Sequence, residues 1–166
     1  MINNSIVFSL GSNLGNSEDY LNKAVSALED YFATTAVKSS LYVSKPWGFE
    51  SDNEFLNQCL FFNTKKNVDP FELLKVIQEI EKKLGRIRKN TNSYTSRKID
   101  IDLLYMGQLI LTAKTLTIPH PYIEKRNFVL YPLAEILPDF IDPRAKKRIL
   151  TLKKESNDRD IPIKRC

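Results

Sequence analysis

Arg97-Lys98-Ile99-Asp100-Ile101-Asp102-Leu103-Leu104-Tyr105 reads as a β-strand, because aliphatic residues alternate with other types and an aromatic follows. Side chains on a strand alternate faces, so Ile99, Ile101 and Leu103 point toward a core. Asp100 and Asp102 point the other way, about 6.7 Å apart along the strand. Two like charges at that spacing repel by about 2.5 kcal/mol at an effective dielectric of about 20. A strand that only had to fold would avoid the pair, since Asp is depleted in strands. The plain alternative is two solvated aspartates on an edge strand.

The residues before this strand weigh against that alternative. From Lys82 to Lys98 there are seven basic residues and no acidic one. A divalent cation between the carboxylates would turn repulsion into attraction, and oxygen-only ligands suit Mg²⁺, which takes one or two carboxylates plus substrate phosphates. Arginines nearby can clamp phosphate oxygens bidentately. A cationic stretch that ends at two carboxylates is what a metal–polyphosphate site needs.

Working outward, Ser5 to Leu10 reads as a strand, Gly11 to Gly15 as a turn, and Ser17 as the cap of a helix. Leu21, Ala24, Val25, Leu28 and Phe32 follow at helical spacing. Val37 to Ser44 and Phe55 to Thr64 read as strands. Asp69-Pro70-Phe71-Glu72 is a helix start, with Asp69 capping and Pro70 in the first position. Leu73, Leu74, Ile77, Ile80 and Leu84 form its apolar face, and Gly85 ends it. Gly85 to Ser96 has little apolar content, and a loop of that length in a compact domain is functional or disordered. Leu109 to Thr112 reads as a short strand, Thr117 to Pro121 as a rigid loop, and Asn127 to Leu137 as a short helix. The order β-α-β-β-α-β predicts an α+β, ferredoxin-like split β-α-β sandwich, an antiparallel sheet with helices on one face.

At 166 residues the chain has the size of one domain, able to bury about 70% of its unfolded surface. No apolar run reaches membrane-spanning length, and the N-terminal residues lack a signal-peptide pattern. Two cysteines, Cys59 and Cys166, do not make a disulfide framework, which fits a reducing cytoplasm. The net charge of +5 is uneven: residues 144–166 carry nine Lys/Arg against three Asp/Glu. The body, residues 1–143, is therefore slightly acidic, and the tail is expected to be a solvated, partly mobile basic extension of the same domain. A high pI that comes from a tail is weak support for nucleic-acid binding.

Four blocks, taken together with their order and spacing, carry a resemblance. They are Leu10-Gly11-Ser12-Asn13-Leu14; Phe55-Leu56-Asn57; Gly85-Arg86-Ile87-Arg88 with Arg97-x-x-Asp100-x-Asp102; and Ile118-Pro119-His120-Pro121 followed by Arg126-x-Phe128. Over roughly residues 5–143 the chain resembles the 6-hydroxymethyl-7,8-dihydropterin pyrophosphokinases of folate biosynthesis. The resemblance implies transfer of pyrophosphate from ATP to the pterin hydroxymethyl oxygen, with AMP leaving as that oxygen attacks the β-phosphorus. It implies two Mg²⁺ ions ligated by Asp100 and Asp102, and catalytic roles for Arg86 and Arg97. It assigns Arg88, Lys89, Tyr94, Ile101, Thr117, His120 and Arg126 to ATP, with Gln78 and Glu81 near ATP and the metal site. It assigns Phe55, Asn57 and Phe128 to the pterin, with Ser44, Pro46 and Trp47 on a pterin-binding loop. A slot between aromatic rings with a side-chain amide at its edge suits a flat bicycle with an amide-like rim. Thr95-Ser96 stands where the family often has Gly-Pro, Tyr94 where some members have tryptophan, and Thr115 where some have arginine. The expected partners are ATP and the pterin, with no nucleic acid and no membrane, for a cytoplasmic monomer.

The alternative is an RNA-binding module, since ferredoxin-like sheets can stack bases on strand aromatics. Two aspartates on the same strand face would repel a phosphate backbone unless metal is bound. A metal-dependent nuclease would use the same carboxylates but leaves Phe55, Asn57 and Phe128 without a purpose.

Overall fold

The computed structural model describes residues 5–86 and 95–165. β1 (Ser5–Ser12) leads through α1 (Ser17–Phe32) to the short β2 (Val37–Lys38) and β3 (Tyr42–Ser44), then β4 (Phe55–Asn63), α2 (Pro70–Lys83) and β5 (Asp100–Met106). A small hairpin, β6 (Leu111–Thr112) with β7 (Thr117–Ile118), precedes α3 (Asn127–Ile136), α4 (Ile149–Glu155) and β8 (Ile163–Lys164). The main sheet runs β5-β1-β4-β3-β8, with β2 also on β4, and its pairings are antiparallel. With β1 between β5 and β4, and the helices α1 and α2 as crossovers, this is the split β-α-β arrangement the element order predicts. No helix of the described residues is long and apolar enough to cross a membrane.

The local chemistry explains most boundaries. Asp69 caps α2 by accepting from the N–H groups of Phe71 and Glu72 (2.9 and 3.1 Å), and Lys82 and Lys83 sit in the last turn, where cations are favoured. Gly85, at φ +83°, ends the helix in the left-handed region. The cap of α1 is Asn16 rather than Ser17: its side chain accepts from Asp19 N–H at 3.2 Å, while the Ser17 hydroxyl accepts from Ser12. The predicted single strand from Val37 to Ser44 is broken in the middle. Ser39 N–H still donates to the Cys59 carbonyl, but the Ser39 hydroxyl donates to the Ser40 carbonyl and accepts from Cys59 N–H, so a side chain takes over the return bond of the ladder there.

Two cores sandwich the sheet. The first holds Ile6, Phe8 and Leu10 of β1 and Ile99, Ile101 and Leu103 against Leu21, Leu28, Leu73 and Ile77 of α1 and α2. The second holds Val7, Cys59, Leu104 and Tyr105 against Val129, Leu130 and Leu133 of α3 and Ile149 and Leu152 of α4. Helices therefore cover both faces, not one. The basic tail differs from expectation as well: α4 buries Ile149 and Leu152, and β8 pairs with β3. Its apolar residues, three apart, occupy one side of a helix turn, and its cations face outward.

β5 carries a bulge. Val7 pairs with Tyr105 but Phe8 pairs with Leu103, so Leu104 is an extra residue. Both Leu104 and Tyr105 thereby reach the second core, on the face that Asp100 and Asp102 occupy further back along the strand. The Leu104 carbonyl accepts from His120 N–H at 3.0 Å.

Candidate active site

The second sheet face is closed by α3 and α4 only over part of its area. Where β1 continues through Ser9 and Gly11, β4 through Phe55 and Asn57, and β5 through Asp100 and Asp102, a cleft opens. It encloses about 460 Å³ of space continuous with solvent, and Ser44, Trp47, Arg97, Arg126 and Phe128 complete its walls. A second cleft of about 800 Å³, also open to solvent, lies beside it, lined by Glu81, Arg86, Ile101, Thr117 and His120 among others. Asp100 and Asp102 line both clefts. The two carboxylates are the partition between two binding spaces.

Arginines meet these carboxylates from three directions. Arg86 donates to Asp100 and to Glu81. Arg97 donates to the other oxygen of Asp100 at 2.8 Å, and Arg126 to Asp102 at 3.4 Å. Glu81 is 1% exposed and also accepts from the N–H of Ile101, the residue between the two aspartates, at 2.9 Å. Glu81 thus fixes α2 to β5 and holds Arg86 at the partition. Burial first, then the neighbouring Asp100 charge, hold the Asp102 carboxyl well above the ordinary carboxylate range, against the pull of Arg126. A group so placed favours any cation that can reach it, and its side chain retains 28% of its surface, in the clefts.

His120 is neutral at pH 7, because burial and then the Arg126 charge push it down to about 4. Its 3.9 Å approach to Asp102 is therefore not an ion pair. The Nδ1 atom accepts from Tyr122 N–H (3.3 Å), an assignment that leaves the ring proton on Nε2, the atom nearer Asp102. Arg126 is 4% exposed and is packed against aromatic faces, 4.4 Å from the Trp47 ring and 5.5 Å from the Phe128 ring.

On the floor of the first cleft, Asn57 donates through Nδ2 to Ser44 Oγ (2.9 Å) and to the Tyr42 carbonyl (3.3 Å). Its Oδ1 lies beside Gly11, where an added Cβ would stand 3.4 Å from it and 3.6 Å from the Phe55 ring. Glycine keeps that floor open.

Of the residues expected from sequence, Ser44, Trp47, Phe55, Asn57, Arg97, Asp100, Asp102, Arg126 and Phe128 meet in the first cleft. Glu81, Arg86, Ile101, Thr117 and His120 meet in the second, again with the two aspartates. Arg126 and His120, expected to act on one ligand together, line different clefts and converge at Asp102 and at the Tyr122 ring. Pro46 and Gln78 line neither. Arg88, Lys89 and Tyr94 lie outside the described residues.

Sequence reasoning missed several contributors, Ser9 and Gly11 on the floor of the first cleft among them. Phe49 meets Phe55 edge-on at 6.0 Å and lines the first cleft with Lys45, and Lys114 lines the second. Asn13 pins the start of the Asp strand: its Oδ1 accepts from Arg97 N–H (2.8 Å) and its Nδ2 donates to Ser96 and the Asn53 carbonyl. The signal for Asn13 was its place in the Gly-Ser-Asn turn; for Phe49, its place in an aromatic loop.

The sequence model of the 7,8-dihydro-6-hydroxymethylpterin-pyrophosphokinase family matches residues 7–138. The 2-amino-4-hydroxy-6-hydroxymethyldihydropteridine pyrophosphokinase of Aquifex aeolicus is 39% identical over 152 residues, 92% of each chain. The enzyme of the same name from Bacillus subtilis is 41% identical over 136 residues, 81% of this chain and 79% of that one. Among solved structures, Plasmodium falciparum HPPK-DHPS with pteroate matches 92% of this chain with a TM-score of 0.70 at 15% identity. That likeness is one of fold, and the chain spans 44% of the longer protein. With the family model and the relatives agreeing over most of its length, this chain belongs to the 7,8-dihydro-6-hydroxymethylpterin-pyrophosphokinase family.

Proposed function

We propose that the chain performs its family's reaction, pyrophosphate transfer from ATP to the hydroxymethyl group of 6-hydroxymethyl-7,8-dihydropterin, across the Asp100/Asp102 partition. The observation that carries this reading is the pair of adjacent clefts sharing those two carboxylates. Two substrates must meet in line, one on each side of the transferring group, and catalysis of phosphoryl transfer is mostly positioning and charge neutralisation.

The first cleft takes the pterin. Phe55, Phe128 and Trp47 supply aromatic faces, and Asn57 Oδ1 supplies an acceptor for the N–H edge of the bicycle. The second cleft takes ATP, with Ile101 and Thr117 on its wall and the neutral His120 as a hydrogen-bond donor through Nε2. The hydroxymethyl oxygen attacks the β-phosphorus and gives its proton to solvent, and the bond from the β-phosphorus to the α–β bridging oxygen breaks, its electron pair leaving with AMP. Arg86 and Arg97, held at the junction by Asp100 and Glu81, oppose the negative charge on the phosphoryl oxygens.

Asp100 and Asp102 fit Mg²⁺. The two carboxylates line both clefts, and a pair of carboxylates is the set Mg²⁺ uses with water and phosphate. Two ions bound there would neutralise the triphosphate and acidify the attacking hydroxyl. The RNA-binding alternative finds no support, because the aromatic strand face is also the carboxylate face and belongs to a cleft.

The test is to mix protein, ATP, Mg²⁺ and the pterin and to separate nucleotides by chromatography. AMP formed only when all four are present is the expected result. No AMP beside an active control enzyme would sink the reading.

A further inference from the structure

The first cleft has two walls that come from distant parts of the chain: the Lys45–Trp47 loop after β3, and the start of α3 with Arg126 and Phe128. The segment after α4 binds both. Asp160 Oδ2 accepts from Lys45 N–H at 3.1 Å. Because β3 ends at Ser44, Lys45 has left the sheet, and Asp160 takes up its N–H. On the other wall, Asp158 Oδ2 accepts from Asn127 N–H at 2.9 Å, and the Asn127 amide donates back to the carbonyls of Asp158 (2.9 Å) and Asp160 (3.0 Å). Helix α3 has no capping side chain at its own N-cap, Arg126; Asp158 supplies an acceptor, and a negative charge, from across the chain. The segment is braced by its own turns, with Asp158 N–H on Ser156 Oγ and Asp160 N–H on Asp158 Oδ1 (3.3 and 3.1 Å). Asn127 is 3% exposed, so its own bonds exchange little with water, whereas the Lys45–Asp160 bond lies at the exposed surface. Two of the three acidic residues in the basic tail are thus committed to the walls of the cleft.

We propose that residues 156–160 form a strap that sets the spacing between the Trp47 and Phe128 walls of the pterin slot, with Asp158 and Asp160 as positioning residues. The proposal rests on the reading of the first cleft as the pterin site. Neither carboxylate lines that cleft; each acts through the backbone of a residue next to it. The strap should therefore govern how well the pterin binds and leave the ATP side alone.

Trp47 is the only tryptophan of the chain and reports directly on the wall that Asp160 holds. The experiment compares wild type, Asp160→Ala, Asp160→Asn and Asp158→Ala, each checked for an unchanged far-ultraviolet spectrum. It measures acrylamide quenching of Trp47 in the ligand-free protein, then KM for each substrate and kcat. Loss of one hydrogen bond of about 1 kcal/mol corresponds to about fivefold in affinity. Asp160→Ala should quench more readily and raise the pterin KM about fivefold, with ATP KM and kcat within about twofold. Asp160→Asn keeps an acceptor oxygen and should return both readouts to wild type. Asp158→Ala should raise the pterin KM with less effect on Trp47 quenching. Unchanged quenching and pterin KM in Asp160→Ala would overturn the strap, as would an equal rise in both KM values or no rescue by asparagine. Increased quenching with an unmoved pterin KM would instead show that the strap holds the loop while the first cleft is not the pterin site, which overturns the proposal through the reading beneath it.

Discussion

One face of the sheet serves two purposes along the same three strands. At one end Val7, Cys59, Leu104 and Tyr105 are at most 1% exposed beneath α3 and α4. At the other end Ser9, Gly11, Asn57, Asp100 and Asp102 line the cleft, Ser9 and Asn57 as its buried floor and the two aspartates partly exposed. The change of purpose takes two residues: Val7 to Ser9 on β1, Cys59 to Asn57 on β4, Leu104 to Asp102 on β5. The closed end gains from apolar burial. The open end concentrates like charges and arginines that give up hydration for one another, an arrangement of small or unfavourable net stability. Stability and chemistry are separated by position on a strand, and α3 marks the border: its body seals the core while its first residues form the cleft wall.

Substitutions can break that comparison at either end. The largest effect belongs to the open end. Asp100→Ala or Asp102→Ala should lower turnover about 10³-fold or more, equivalent to about 4 kcal/mol of transition-state stabilisation. The thermal midpoint should fall in Asp100→Ala, which strips Arg86 and Arg97 of a partner, and change less in Asp102→Ala, where the lost Arg126 contact offsets the lost repulsion from Asp100. Activity above a tenth of wild type in either variant would remove the two-carboxylate site. Arg97→Ala should reduce kcat about 10²- to 10³-fold while pterin affinity in a fluorescence titration changes about threefold or less. A rise in KM alone would contradict the role given to Arg97.

The closed end should respond in the opposite sense. Leu104→Ala removes a side chain that is 1% exposed and should lower unfolding free energy in urea by about 3 kcal/mol. Its kcat per folded molecule should stay within about twofold. A comparable loss of kcat would mean that the bulge transmits strain to His120, whose N–H rests on the Leu104 carbonyl. Tyr105→Phe takes away the hydroxyl that donates to Asp142 at 2.7 Å and should cost about 1–2 kcal/mol in the same assay; no loss would show that water replaces it.

The smallest effect is a pH dependence at Glu135, which latches α3 to the β2–β3 region through Ser40 and Tyr42. Burial acts to raise this carboxyl, but hydrogen bonds from Tyr42, Ser40 and Lys164 outweigh it and hold the group below its ordinary value. A depressed carboxyl contributes stability that is present above its unfolded value, near pH 4.3, and lost as the pH falls through the lower folded value. Glu135→Gln should flatten that part of the stability–pH curve and leave activity unchanged. An acid limb identical to wild type would show that other carboxylates set it.

Much of the site was legible because its chemistry is local. The alternation through Ile99–Leu103 is enough to send Asp100 and Asp102 to the face opposite the core, and Asp69-Pro70 is enough to start α2. The four sequence blocks carried the family. Other features had no local signature. Glu81 reads as a polar helix residue, and only the approach of β5 buries it against Ile101 N–H. The tail reads as solvated charge, because an apolar pair three residues apart is faint beside nine cations.

What the sequence by itself determined is the sheet unit and the cleft-facing residue types, which follow from period-two patterning and capping, and the family, which four motif blocks carried as a resemblance and which implied the reaction class. What only the tertiary structure decided is which surfaces meet. It put α3 and α4 on the second face, divided Arg126 and His120 between two clefts that share Asp100 and Asp102, and brought Asp158 and Asp160 to Asn127 and Lys45. Those outcomes depend on contacts between residues tens of positions apart, where the deciding energies are burial and hydrogen bonding in a packed interior, and no short window of sequence contains both partners.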